Sequence, residues 1–262
     1  MSVLIQLNDL SIANSTLPAL DVSRADVELA SLPQLKFWLQ AGSKFRSGSK
    51  TKERIAGRTI SPTGTGTGEW TNGTFANAEP AFILDNSGTY PYIFDSPYQV
   101  NKDAWTAVLV FERDPNDVGN AMLVGGTASG SSNDCYLYIG MTTKGLKLYD
   151  ENTSPRVQDL ATAGKYVGVT MGVVSFSVTN GLTMRINGKE IARNAADKRP
   201  LTNGSFRIGA ASGASVSKSD NALGGKLGTV MMFDADLCLP AYQSSLAKLE
   251  STLMEKYGIT TP

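Results

Sequence analysis

The chain has 262 residues, with 24 basic and 24 acidic side chains, two cysteines and no histidine. Zero net charge removes any global pull toward nucleic acid or an anionic membrane, and the missing histidine removes Ser-His-Asp and Cys-His catalysis and every imidazole metal ligand. Cys135 and Cys238 are too few for a four-thiolate zinc site. The length is ample for a core that needs no disulfide. Charged residues make up 18%, below the roughly 25% of an average soluble domain. Gly, Ser, Thr and Asn fill the deficit, as in an all-β chain with many turns.

The N-terminus, Met1-Ser2-Val3-Leu4-Ile5-Gln6-Leu7-Asn8-Asp9, has no basic n-region and no long apolar h-region, so synthesis in a cytosol is expected. No run approaches the ~18–20 apolar residues of a membrane span. Residues 1–32 read as an arm that packs on the domain or on a neighbour. Pro18 and Pro33 break any long helix, and a short helical turn fits within Arg24 to Leu29.

Leu35-Lys36-Phe37-Trp38-Leu39 follows as a strand. From Ala41 to Gly73 apolar content is low, so the stretch reads as a long loop, which in an ordered domain is functional or mobile. Its first half places Lys44, Arg46, Lys50, Lys52, Arg54 and Arg58 against one acid, Glu53. Its second half is the run Thr63-Gly64-Thr65-Gly66-Thr67-Gly68, before Trp70. Strands resume at Ala81–Leu84 and Tyr92–Phe94. Trp105–Phe111 is apolar on both faces, as a central strand should be. Ala121–Val124, Tyr136–Ile139, Leu146–Tyr149, Tyr166–Met171 and Val173–Val178 continue the series. Leu182–Ile186, Asn187-Gly188 and Lys189–Ala192 predict a hairpin, because Asn-Gly supplies positive φ at both turn positions. Phe206–Gly209 and Leu227–Phe233 complete the strands, a spacing that reads as a β-sandwich. Pro240 then opens a helix over 240–257, with Tyr242, Leu246, Leu249, Leu253 and Tyr257 on one face and Gly258 as its stop.

The order of these motifs resembles the concanavalin A-like (laminin-G-like) jelly roll, especially the versions in virion proteins of tailed phages. The resemblance rests on Leu35–Ala41; on Glu79-Pro80-Ala81-Phe82 and Tyr92-Ile93-Phe94-Asp95; on Ile186-Asn187-Gly188-Lys189 with Phe206–Ala210; and on Gly224–Gly228 leading through Val230–Asp234 to the helix ending Lys256-Tyr257-Gly258-Ile259. It covers residues 33–262. It implies an all-β jelly-roll sandwich with an N-terminal extended arm and a C-terminal helix. The fold hosts lectins, glucanases and viral structural domains, so site residues must decide function.

Glucanases of this fold carry a Glu-x-Asp-x-x-Glu strand, because glycoside hydrolysis needs two carboxylates on one face. That motif is absent. Asp114-Pro115-Asn116-Asp117 and Asp150-Glu151-Asn152 read as turns. Ser131–Asp134 and Ser217–Asn221 lack the dense oxygens that calcium requires. The Thr-Gly run lacks the Lys-Ser/Thr ending of a phosphate loop, and only Phe45 interleaves the basic loop, so base stacking is unsupported. Neither a catalytic residue nor a metal or cofactor is expected.

The expected function is therefore binding: a non-enzymatic phage virion protein, decorating the capsid by contact with the major capsid protein. The chain is short and begins at its own Met1, unlike a tail fibre that embeds such a domain in a shaft. A homo-oligomer is expected, with a trimer as the guess, and neither nucleic acid nor membrane as partner. Leu4 and Leu7 in the arm and Lys44, Arg46, Lys50, Lys52, Arg54 and Arg58 in the loop are the candidate contacts. Charge-guided docking would be local to 44–58 and would weaken with salt. The alternative is a carbohydrate-binding tail or receptor-binding module with Trp70 as sugar contact, and a glycan-active enzyme ranks third.

Overall fold

The computed structural model describes residues 23–42, 46–47, 50–60, 62–63, 71–84, 93–114, 121–126, 138–142, 145–149, 155–158, 168–209 and 224–261. In chain order its elements are α1 (Arg24–Ala30), β1 (Leu35–Gln40), β2 (Arg46–Ser47), β3 (Lys50–Lys52), β4 (Thr59–Ile60), β5 (Pro62–Thr63), β6 (Thr71–Thr74) and β7 (Pro80–Leu84). They continue as β8 (Ile93–Gln99), β9 (Ala104–Arg113), β10 (Ala121–Gly126), β11 (Tyr138–Thr142), β12 (Gly145–Tyr149), β13 (Pro155–Gln158), β14 (Thr170–Ser177) and β15 (Gly181–Ile186). The last are β16 (Lys189–Asn194), β17 (Ser205–Ile208), β18 (Gly225–Phe233), a 3-10 turn (Pro240–Tyr242) and α2 (Gln243–Tyr257).

The strands form two large antiparallel sheets. The larger runs β16-β15-β14-β9-β18-β7-β6, and β1 also pairs with β18. β7 takes the first residues of that β18 edge, Gly225 to Leu227, and β1 takes the rest, Thr229 to Phe233. The smaller sheet runs β13-β12-β11-β10-β17-β8-β5. The expected all-β sandwich with a C-terminal helix is what the chain builds.

Strand alternation sorts side chains into two cores. On β9, Trp105, Ala107, Leu109 and Phe111 point between the sheets, where they meet Leu123, Val124, Ile139, Leu146, Leu148, Phe206 and Ile208 of the smaller sheet. Phe37 of β1 and Phe206 of β17 close this layer edge to face, with ring centroids 5.3 Å apart. Val108 and Val110 point the other way, into a second core with Trp38, Met171, Val173, Met231 and Phe233. Leu246, Leu249, Leu253 and Tyr257 of α2 cover that core. The near-continuous apolar run of β9 is thus a strand buried on both faces.

The Asn187-Gly188 hairpin forms as predicted, with φ of 47° and 81°. Its Asn187 side chain also accepts the Met171 N–H at 2.8 Å, tying the turn to β14. Tyr166–Met171 and Val173–Val178 were expected as two strands; the structure has one over Thr170–Ser177, and Tyr166 and Val167 lie outside the described residues. α2 ends at Gly258 in the left-handed region, where the Gly258 and Ile259 N–H groups satisfy the Glu255 and Met254 carbonyls.

Two regions depart from the sequence reading. The stretch 41–73 holds five short strands, three of which form a separate sheet, β2-β3-β4. Ile60 reaches the inter-sheet core, and Glu53 is buried with its carboxylate accepting the Ile55, Ala56 and Arg58 N–H groups at 2.7–3.2 Å. One acid organises the turn, a device that low apolar content does not reveal. Of residues 1–32, those up to 22 lie outside the described residues. Residues 24–30 form helix α1, capped by Ser23 through the Asp26 N–H, and Leu29 and Leu32 join the second core against α2.

Candidate ligand-binding face

The basic loop does not present all its cations outward. Arg54 turns in: its guanidinium lies 3.8 Å above the Trp38 ring, donates to the Gln40 side chain and sits 3.2 Å from Asp26. Its side chain is 12% exposed. Asp26 also accepts Lys256 Nζ at 2.7 Å. Burial would raise the Asp26 carboxyl, but the two cations outweigh it and hold it below the usual carboxylate range. Arg54 therefore joins the small sheet, α1 and α2, instead of standing free in a loop. Lys50, Lys52 and Arg58 are exposed, and Arg58 donates to the Pro97 carbonyl at 3.1 Å. Arg46 lies in β2, opposite Thr51. Leu4, Leu7, Lys44, Trp70 and Cys135 lie outside the described residues.

The buried acids serve the fold. Asp236 accepts Ser175 Oγ at 2.6 Å, Ser177 Oγ at 2.8 Å, Asn180 Nδ2 at 3.2 Å and the Cys238 N–H at 3.0 Å. Burial, then the Asp236 charge, push the Cys238 thiol up to about 12, far from a thiolate nucleophile at neutral pH. Asp197 is shared by Arg156 and Arg199. Glu250 pairs with Arg185 at 2.7 Å and so ties α2 to β15. Among the described residues no three His, Cys, Asp or Glu side chains gather as a metal site, and no helix is long and apolar enough to cross a membrane. Of the candidate acid clusters, Asp114 is exposed at the end of β9; the rest of that turn and the Asp150–Asn152, Ser131–Asp134 and Ser217–Asn221 segments lie outside the described residues.

The two outer faces of the sandwich differ. The outer face of the larger sheet is the floor of the second core, under α1 and α2. Among the described residues no helix covers the outer face of the smaller sheet. Alternation places Lys147 between the inward Leu146 and Leu148, and Arg207 between the inward Phe206 and Ile208. A register shift in β10 turns both Leu123 and Val124 inward. One outer row then reads Tyr138, Gly125, Arg207, Asp95, each opposite the next on neighbouring strands. The row beside it reads Gln158, Lys147, Gly140, Met122. Glycine stands mid-row in both, opposite Arg207 in one and Lys147 in the other. Lys147 and Arg207 are half-buried.

None of these face residues was singled out from the sequence. The alternation in Leu146-Lys147-Leu148-Tyr149 and Ser205-Phe206-Arg207-Ile208 marks each residue's face; it does not say that β17 lies between β10 and β8.

No family model matches the chain, and no curated protein matches it in sequence. Solved structures do match in shape. The binding domain of botulinum neurotoxin DC in complex with SialylT superposes with a TM-score of 0.58 at 8% identity, over 88% of this chain and 52% of that one. Botulinum neurotoxin type C, whose cell entry depends on interaction with two ganglioside molecules, gives 0.57 at 11%, over 91% and 54%. A Trypanosoma rangeli sialidase mutant displaying trans-sialidase activity gives 0.53 at 14%, over 91% and 38%. The chain spans about two fifths to one half of these proteins, and at such identities the likeness is one of fold. By topology and by these neighbours, the chain is a concanavalin A-like β-sandwich.

Proposed function

We propose that the chain is a non-enzymatic carbohydrate-binding module that takes its ligand on the outer face of the smaller sheet. The observation that carries this reading is the register of the smaller sheet, which sets half-buried Arg207 opposite Gly125 and half-buried Lys147 opposite Gly140. Sugars are held by aromatic rings against their apolar faces and by charged or amide groups on their hydroxyls, and a glycine lets a ring approach the backbone. The fold neighbours support the class: one is in complex with SialylT and another depends on gangliosides. The reading needs no cofactor, nucleic acid or membrane.

The test is a glycan array followed by calorimetry on the strongest hit. Lys147→Ala and Arg207→Ala are each expected to weaken binding about tenfold, the scale of one lost charge-assisted hydrogen bond. Failure of the wild-type chain to bind any glycan overturns the reading. If Trp70→Ala abolishes binding while the two face variants retain it, the site lies at the loop before β6 instead. Hydrolysis of a bound polysaccharide would replace the binding reading with an enzymatic one.

A second reading is a decoration protein on a tailed-phage capsid, made in the host cytoplasm and bound as an oligomer, with a trimer as the guess, to the major capsid protein. Exposed Lys50, Lys52 and Arg58 favour it, because the buried Glu53 holds their hairpin in one conformation and a rigid docking element loses little entropy on binding. On this reading the purified chain is expected to rebind capsid shells lacking it, and Lys50→Glu with Lys52→Glu is expected to weaken that binding most at low salt. Binding to glycan and indifference to shells would sink it.

A further inference from the structure

β16 ends the larger sheet. It pairs with β15 on one side, and no described strand pairs with its other side. An end strand is a template for another strand, because its outer backbone groups have no ladder partner, and such edges are commonly guarded by charges and bulges. β16 carries both, in an arrangement that matches itself.

The bulge sets the pattern. Arg185 lies opposite Glu190 and Met184 opposite Ala192, so Ile191 is an extra residue in the strand. Ile191 and Ala192 both pack against the inter-sheet core. Glu190 and Arg193 lie opposite Arg185 and Thr183, between the inward Leu182, Met184 and Ile186, and both are exposed. That outer side is the one on which Arg185 meets Glu250 of α2. Arg193 also donates to the Asn180 side chain there. The strand therefore reads out, in, in, out over Glu190-Ile191-Ala192-Arg193. Without the extra residue, Glu190 and Arg193 would fall on opposite faces.

This pattern is its own complement. A two-fold axis perpendicular to the sheet, passing between Ile191 and Ala192, lays β16 of a second copy antiparallel beside the first. Glu190 then stands opposite Arg193 of the second copy and Ile191 opposite its Ala192, and the symmetry makes each pair twice. Both members of each pair lie on the same face of the sheet, as cross-strand neighbours must to interact. Charges arranged in this way admit a second copy and discriminate against a strand of another pattern.

We infer that β16 is a docking edge for a second copy of this chain, which joins two larger sheets into one. The inference is independent of any glycan bound on the smaller sheet. Its test is sedimentation equilibrium of the full chain. A dimer is expected at low salt, weakening as salt rises; a monomer at every concentration up to about 1 mM overturns the inference. Glu190→Arg sets arginines opposite each other in both pairs, and Arg193→Glu does the same with glutamates. Each should weaken the dimer at least about tenfold. Mixing the two variants, or combining both changes in one chain, should restore it, because opposite charges then meet again. A dimer that ignores the single reversals, or that the double reversal leaves broken, overturns the inference. Should a variant fail to fold, amide exchange of the wild type decides: exchange over Lys189–Asn194 should slow between dilute and concentrated solution, and unchanged exchange there overturns the inference as well.

Discussion

The two outer faces of this sandwich start from the same strand alternation and end differently. Over the larger sheet, outward positions carry Trp38, Val108, Val110, Val173, Met231 and Phe233, and two helices close over them. Over the smaller sheet, the outward positions include Arg207, opposite Gly125, and Lys147, opposite Gly140. An apolar row must be covered because leaving it in water costs about 25 cal/mol per Å². A row with cations and glycines carries no such demand, and among the described residues no helix lies over it. Stability should therefore concentrate under the helices and recognition on the opposite side.

Removing the ionic clamp of the covered face should break this contrast hardest. Asp26→Ala leaves Lys256 and Arg54 without their shared carboxylate, and should cost about 3–5 kcal/mol in urea unfolding. The same clamp predicts a pH dependence. The Asp26 carboxyl is held below its ordinary value, so its contribution is fully present above an unfolded pKa of about 3.9 and is lost as pH falls through the lower folded value. The urea midpoint should drop below about pH 4, and Asp26→Asn should flatten part of that drop. A slope unchanged in the variant would mean that the clamp contributes nothing.

Leu253→Ala, which opens a cavity between α2 and the larger sheet, should cost about 2–5 kcal/mol and leave glycan binding intact once folded. Asn187→Ala should cost about 1–3 kcal/mol, because it removes the acceptor of the Met171 N–H and a residue suited to positive φ. A calorimetric scan checks both. At the smaller sheet, Lys147→Ala should move stability by less than about 0.5 kcal/mol while weakening glycan binding about tenfold. Large losses of stability there would show that the two faces are alike. Lys50→Glu with Lys52→Glu should change stability least of all, within about 0.5 kcal/mol, and should show only in salt-dependent association.

How far the sequence revealed this molecule depends on the range of the interaction involved. The Asn187-Gly188 hairpin, the doubly buried β9 and α2 with its Gly258 stop are written in neighbouring residues, and all three are legible. β13 is not, since Pro155–Gln158 has neither length nor alternation and is held by pairing with β12. Arg54 looked like its neighbours in a basic loop. Its role depends on Asp26, Trp38 and Lys256, and the last lies about two hundred residues away in the chain. The outer rows of the smaller sheet were hidden for a related reason. Each residue's face can be read along its own strand, but the row exists only once β8, β17, β10 and β11 lie side by side.

The position of β18 has a consequence for how the chain is made. It bonds β9 along one edge and both β7 and β1 along the other, so it is the centre of the larger sheet. It also leaves the ribosome after β1, β7 and β9. Until residues 225–233 emerge, β9, β7 and β1 have apolar faces and backbone edges with no partner, and helix α2, which covers them, is later still. At roughly 5–20 residues per second, that interval lasts several seconds from the emergence of β9. During synthesis the larger sheet is an assembly waiting for its middle piece, and folding of that half should complete in one step once residues 225–257 have emerged.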